Sequence, residues 1–238
     1  MVGETDMDDP LDGLLTEVAA LPVPASRPAI TLTYAQTLDG CIATADRRPL
    51  ALSGLAAQVM THRLRSAHDA ILVGVGTVLA DNPRLTVRLA EGSNPRPIVL
   101  DSQARTPPDA QLLRGPQPAW ILTGPDAPPE RLRRLEDAGA RLLIIESSTD
   151  SRRDLPAAFA RLHAAGVRRI MIEGGAAIIA SSLRARLVDL IILTVSPRWE
   201  SGLPAMNGDG GRLGLEAPHW LALDADGIVW GRPAWQAR

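Results

Sequence analysis

The chain alternates short apolar runs with longer amphipathic stretches, and that alternation predicts strands and helices in turn. Residues 28–35, carrying Ile30, Thr31, Thr33 and Tyr34, read as a first strand. The turn-forming group Gln36-Thr37-Leu38-Asp39-Gly40 leads into a second short piece at 41–44. Helical spacing follows over 55–64, with Ser53 placed as its N-cap. The unbroken apolar run from Ala70 to Val73 reads as a buried strand that stops at Gly74 and Gly76. Further strands are predicted at 96–100, 119–123, 141–145, 169–172 and 190–195. Helices are predicted at 128–138, at 154–165 and after Gly175. Strands alternating with helices imply an α/β domain, a mostly parallel sheet with helices on both faces. At the end of the chain, 220–223 and 228–230 read as a C-terminal β-hairpin around Asp224-Ala225-Asp226-Gly227.

The remaining stretches are polar or proline-rich. Residues 1–26 combine Glu4, Asp6, Asp8, Asp9 and Asp12 with Pro22 and Pro24, and read as an acidic, flexible N-terminal lead. A short helix at 14–21 is the one element expected in it, and the domain proper, 27–238, starts near Arg27. Residues 103–118 read as a surface connection and 202–214 as a glycine-rich loop.

Composition narrows the function classes. A formal net charge of −2 gives no support to a nucleic-acid surface or a membrane-surface role. Every basic residue is arginine, so chemistry that needs a lysine is excluded. The single cysteine, Cys41, rules out an internal disulfide and a cysteine-built zinc site. No apolar run reaches the ~20 residues needed to cross a bilayer, and the acidic start is unlike a signal peptide. A soluble, cytoplasmic protein is the expectation.

Candidate chemistry concentrates in two places. The first is the strand end at Gly74 and Gly76, with Arg65 before it and Asp81, Asn82, Arg84 and Arg88 after it. An arginine offers a planar fork that grips phosphate through two hydrogen bonds, so the arrangement suits an anionic, nucleotide-like ligand. The second is Glu173-Gly174-Gly175, where a strand ends and a helix begins. The free amides of a helix start form a seat for pyrophosphate, and ligands of open parallel sheets bind at the carboxyl ends of strands. Read alone, Glu173 is equally well a charge favoured at a helix start, and Asp39-Gly40 a plain hairpin turn. His62 and His68 have no partner at catalytic or metal spacing and are expected to be surface or capping residues. Trp199, Trp220, Trp230 and Trp235 are expected in packing or a subunit interface.

The run Thr77-Val78-Leu79-Ala80-Asp81-Asn82-Pro83-Arg84-Leu85-Thr86-Val87-Arg88 resembles the reductase domain of bacterial riboflavin biosynthesis, a relative of dihydrofolate reductase. Thr37-Leu38-Asp39-Gly40-Cys41-Ile42-Ala43, Val99-Leu100-Asp101-Ser102 and Ile172-Glu173-Gly174-Gly175 resemble further motifs of that family, over roughly 29–195. The resemblance implies a dihydrofolate-reductase-like fold, NADPH as cofactor and a homodimer. It implies hydride transfer to C1′ of a ribosylaminopyrimidine 5′-phosphate, converting ribosyl to ribityl. By the same resemblance Arg65, Leu85, Arg88 and Glu173 face this phosphorylated pyrimidine substrate. Ala35, Thr77, Asp81, Ser102, Gly174, Gly175, Ala176, Ala177, Ile178 and Ser181 face NADPH. Asp81 and Glu173 are the two carboxylates available to orient or protonate the opened sugar, and the sequence does not choose between them.

Two departures matter. Where the family carries polar and aromatic residues before its Ser-Gly, this chain has Pro49-Leu50-Ala51-Leu52, which leaves open another substrate such as a dihydropterin. A non-catalytic NADPH-binding relative is a separate reading, against which the retained Arg65, Asp81, Arg88 and Glu173 argue. The zinc-deaminase pattern, a His-x-Glu with Pro-Cys-x-x-Cys, is absent, so deamination of the pyrimidine would need a separate enzyme.

Overall fold

A computed structural model describes residues 9–145, 154–206 and 212–235 of the chain. The first half runs α1 (Asp12–Ala20), β1 (Ala29–Thr37), β2 (Cys41–Ala43), α2 (Leu55–Ser66), β3 (Ala70–Gly74), α3 (Val75–Asp81) and β4 (Arg96–Leu100). Then come β5 (Trp120–Thr123), α4 (Pro129–Asp137), β6 (Arg141–Ile144), α5 (Leu155–Ala164), β7 (Arg169–Glu173) and α6 (Ala176–Arg184). The chain closes with β8 (Leu190–Ser196), β9 (Leu203–Pro204), β10 (Leu213–Leu223) and β11 (Asp226–Trp235).

Nine of these strands form one sheet in the order β10-β11-β8-β1-β7-β3-β4-β5-β6. From β8 to β6 every pairing is parallel, and the terminal hairpin adds antiparallel to β8. The sheet has two cores because successive residues of a strand point to opposite faces. Ile71, Val73, Val99, Ile121 and Met171 pack on one face, with Met60 and Leu64 of α2, Val78 of α3 and Leu135 of α4. Ala70, Leu72, Ile98, Leu122, Ile170 and Ile172 pack on the other, against Phe159 and Leu162 of α5 and Ile178 and Leu183 of α6. Strands buried on both faces have no polar side, which is why they read as continuous apolar runs. The expected mostly parallel sheet with helices on both faces and a C-terminal hairpin is therefore present. No helix among the described residues is long and apolar enough to cross a membrane.

Several local expectations change. The lead is not free over residues 11–21: Leu11, Leu14, Val18 and Leu21 are buried in the first core. Polar contacts fasten α1 as well. Asp9 and Asp12 both pair with Arg63 of α2, the Trp230 indole donates to Glu17 at 2.8 Å, and Arg169 donates to the Ala19 carbonyl at 2.8 Å. The short helix expected at 14–21 is present as α1, and it docks through Leu14 and Val18, so only the flexible character of this part of the lead is overturned. Glu4, Asp6 and Asp8 lie outside the described residues. Ser53 does not cap α2. Gly54 occupies the N-cap position, and its amide donates to Asp226 of the distant hairpin at 2.7 Å. The 103–118 connection is anchored by buried Ala104, Thr106, Ala110 and Leu112 and includes one 3₁₀ turn at Gln111–Arg114. The hairpin is longer than its apolar core, because β10 continues with exposed residues as an edge strand. Of the tryptophans, Trp230 is buried and stacks on His219, whereas Trp199 and Trp220 are exposed. Residues 207–211 of the glycine-rich loop lie outside the described residues; the part before them adds β9 to β2.

Asp39 is the hub of the turn after β1. It accepts from the Thr37 hydroxyl at 2.5 Å and from the amides of Ser201 at 2.7 Å and Glu200 at 3.2 Å. These bonds, that of Thr37 foremost, hold its carboxyl at about 2.

Two outcomes follow from this packing. Leu14→Ala is expected to cost ~2–5 kcal/mol, read as a lowered urea midpoint, because it opens a cavity under α1. A free lead would give no change. For Asp39 the folded value lies below the unfolded value of 3.8, so its contribution is complete above that range and is lost as pH falls towards 2. The stability gap between wild type and Asp39→Asn should thus be constant near neutral pH and narrow between the two values in acid unfolding titrations.

Candidate active site

A cleft of about 330 Å³ opens at the carboxyl ends of the central strands β8, β1, β7 and β3, the edge at which open parallel sheets bind ligands. Register builds its floor. Thr33 of β1 lies beside Glu173, the last residue of β7, and Ala35 of β1 beside Thr194 of β8, so these four residues meet near the carboxyl ends of their strands. Two glycine-lined helix starts bound it, one leading from β3 into α3 and one from β7 into α6.

The strongest contact in the cleft joins two elements 108 residues apart. Arg65 of α2 donates from Nε to Glu173 Oε1 at 2.6 Å and from Nη2 to Oε2 at 2.7 Å. Its Nη1 donates to the Thr86 carbonyl at 2.9 Å. The side chains are 12% and 16% exposed, so this fork-on-fork pair is largely withdrawn from water. Burial opposes the charge of Arg65, but the adjacent Glu173 outweighs it and holds the guanidinium above its ordinary value. Asp81 stands on the rim at the end of α3. Partial desolvation raises its carboxyl above the ordinary range.

The β7–α6 turn is shaped for close approach. Gly174 and Gly175 have φ of +66° and +84°, conformations that glycine adopts freely and other residues rarely do. The space where Gly174 would carry a side chain is open, and a Cβ on Gly175 would meet Thr77 Oγ1 at 3.0 Å. The bare turn therefore presents backbone to the cleft while packing against α3.

Known proteins match the chain along most of its length. The family described as the RibD C-terminal domain matches residues 28–220. The chain belongs to that family. It is 40% identical over 190 residues to the 2,5-diamino-6-ribosylamino-4(3H)-pyrimidinone 5′-phosphate reductase of Methanothermobacter thermautotrophicus, across 77% of this chain and 86% of the relative. The Debaryomyces hansenii reductase of the same name is 35% identical over 232 residues, 89% of this chain and 92% of the relative. The riboflavin biosynthesis protein RibD of Actinobacillus pleuropneumoniae is 30% identical, and the chain spans half of its length. Among solved structures, the Saccharomyces cerevisiae riboflavin biosynthesis reductase Rib7 superposes with a TM-score of 0.76 at 26% identity, covering 94% of this chain and 97% of that one.

As a member of the RibD C-terminal domain family, the chain carries a fold that binds a nicotinamide dinucleotide, and the bare Gly174-Gly175 turn fits such a ligand. Of the residues singled out in the sequence, Ala35, Arg65, Thr77, Asp81, Leu85, Glu173, Gly174 and Gly175 do line one cleft. Six do not. Ile178 and Ser181 face the core, with Ile178 against Gly74 and the Ser181 hydroxyl donating to Ala177 at 2.7 Å. Ala176 and Ala177 form the first turn of α6, where only their backbone is at issue. Ser102 lies beyond the end of β4, outside the cleft wall. Arg88 is exposed, with its guanidinium folded back on Thr86 at 2.9 Å.

Leu50 and Leu52 form part of the wall, so the apolar departure before Ser53 does reach the site. Thr61, one helical turn before Arg65, lines it too, a spacing that was legible. His62 and His68 are not surface residues. His68 is buried, with Nδ1 on the Leu64 carbonyl at 2.7 Å, the helix-end contact of a capping residue, and Nε2 on the Thr31 hydroxyl at 2.9 Å. His62 is also buried, and desolvation, then the charges of Arg65 and Arg88, push its ring down to about 4 against the pull of Glu173.

Glu173→Gln leaves Arg65 charged, mostly buried and without its carboxylate. A loss of ~2–3 kcal/mol in unfolding free energy is expected, larger than for removal of a surface pair. Denaturant titration of the two proteins measures it, and an unchanged midpoint would show that Arg65 is solvated after all.

Proposed function

We propose that the chain is an NADPH-dependent reductase of 2,5-diamino-6-ribosylamino-4(3H)-pyrimidinone 5′-phosphate in riboflavin biosynthesis, working in the cytoplasm as a homodimer. One observation carries the reading: a cleft with Arg65, Asp81 and Glu173 around the Gly174-Gly175 turn, in a chain 40% identical to a reductase of that name. The relatives that match over most of their own length bear the diamino name, which favours the undeaminated pyrimidine.

The Gly174-Gly175 turn and the Ala176 and Ala177 amides would hold the dinucleotide, which supplies a hydride when bound. NADPH over NADH is supported by a cationic cavity of about 270 Å³ lined by Arg105, Arg131 and Arg134, which begins two residues beyond Ser102. The chemistry on the sugar is balanced by one hydride and one proton. The C1′–O4′ bond breaks as the nitrogen lone pair forms a C1′=N bond, and O4′ takes the proton. C1′ then accepts the hydride and the electron pair returns to nitrogen, leaving the ribityl chain.

The residues divide these tasks. Glu173 has both oxygens on Arg65, so it serves as a fixed negative charge beneath the cationic C1′=N group. Asp81 has no ion-pair partner among the described residues, and desolvation favours its protonated form, so it is the carboxyl suited to give O4′ its proton. Arg88 takes the 5′-phosphate after swinging off Thr86, and Leu50, Leu52 and Leu85 exclude water. A homodimer is supported by β10, an eleven-residue edge strand that exposes Trp220 to 74%.

Purified protein with the diamino substrate should oxidise NADPH at 340 nm and give a product two hydrogens heavier. Arg88→Ala should raise the substrate KM by roughly 10- to 100-fold with NADPH affinity nearly intact. NADPH binding without oxidation would move the substrate elsewhere, with Leu50 and Leu52 the residues to examine against a dihydropterin.

A further inference from the structure

Residues 82–89 leave α3 and belong to no helix or strand. Among the described residues no backbone-to-backbone hydrogen bond holds 83–89, so this segment lacks the ladder that usually fixes a chain. Leu85 within it is held at φ +55° with its side chain buried, a conformation that surrounding contacts must impose on a non-glycine residue. Three side chains supply those contacts. Arg65 Nη1 donates to the Thr86 carbonyl at 2.9 Å, and the Val87 amide donates to Asn94 Oδ1 at 2.7 Å. The third is His62. The Arg88 amide donates to its Nδ1 at 2.7 Å, with the Leu89 amide further off at 3.4 Å.

His62 is 4% exposed and stands three residues before Arg65 on the same face of α2. A ring nitrogen that accepts an amide proton carries none itself, so the neutral ring holds its proton at Nε2. We infer that His62 is a positioning residue for substrate binding: by accepting from the Arg88 amide, it fixes where the segment presents Arg88 to the substrate 5′-phosphate. The inference rests on the reductase reading above for its substrate, but its structural half stands alone. Arg65 and His62 together make α2 the template of the segment. Arg65 sets the carbonyl side at Thr86, and His62 sets the amide side at Arg88.

Replacements that move the acceptor by one atom test this. Asparagine carries an oxygen where histidine has Nδ1, glutamine carries one near Nε2, and leucine carries neither. His62→Gln and His62→Leu are expected to raise the substrate KM about tenfold, the size of one lost hydrogen bond, with kcat and the NADPH Kd little changed. His62→Asn should stay within about twofold of wild type by the same reasoning. Wild-type KM values in folded Gln and Leu variants would overturn the inference, as would an Asn variant impaired as much as Gln. Should the Leu variant fail to fold, the Asn and Gln pair decides alone. Amide hydrogen exchange at Arg88 and Leu89 supplies a readout that needs no substrate. Faster exchange in Gln than in Asn supports the positioning role even where wild type fails to turn over the pyrimidine, a failure that would count against the reductase reading only. Equal exchange in all variants would overturn the role itself.

Discussion

The Arg65–Glu173 ion pair is the contact on which the rest of the site depends. It ties the last turn of α2 to the end of the central strand β7, and through the third guanidinium nitrogen it reaches the Thr86 carbonyl. Charges so withdrawn from water are stable only when their attraction and hydrogen bonds offset desolvation. The bidentate geometry meets that condition and fixes direction as well as distance. Glu173 is thereby held on the cleft floor with neither oxygen free to rotate towards solvent, and one helix, one strand and one irregular segment share a single anchor.

The helix that carries this anchor is itself held from outside. Arg63 pairs with Asp9 and Asp12 around α1, the Trp230 indole reaches Glu17, and Asp226 accepts the Gly54 amide at the start of α2. The first and last described elements of the chain therefore meet over α2 and brace both of its ends. Precise placement of catalytic groups generally comes from such supports rather than from the groups themselves.

The cleft combines a rigid floor with a rim of a different character. The floor is the edge of a parallel sheet whose strands are buried on both faces, so its residues move only with the core. The rim, from Asn82 to Leu89, has no ladder of its own and is held by side chains of α2 and Asn94. Its position is therefore set by those few side-chain bonds rather than by a strand ladder.

The sequence by itself determined the sheet's strands along the chain, most of its helices and the Gly174-Gly175 turn, but not α3, which takes Gly76 into its first turn where a glycine turn was expected. Those features follow from local periodicity and from backbone needs that single residues express, as at Ala70 to Val73 and at Gly174 and Gly175. The family motifs also named Arg65, Asp81, Leu85 and Glu173, all of which meet in one cleft. Tertiary structure decided the rest, because the deciding partners are distant in the chain. Leu14 and Val18 read as a short helix in the lead, but what that helix packs against is decided only when the core that buries them is assembled. Ser53 has the chemistry of a cap, yet the bond at that helix start goes from Gly54 to Asp226, 172 residues away. His62 shows no partner by spacing, since its partner is a backbone amide of an irregular segment and so leaves no mark on residue type. Periodicity reports which side of an element is buried, but only the folded chain reports against what.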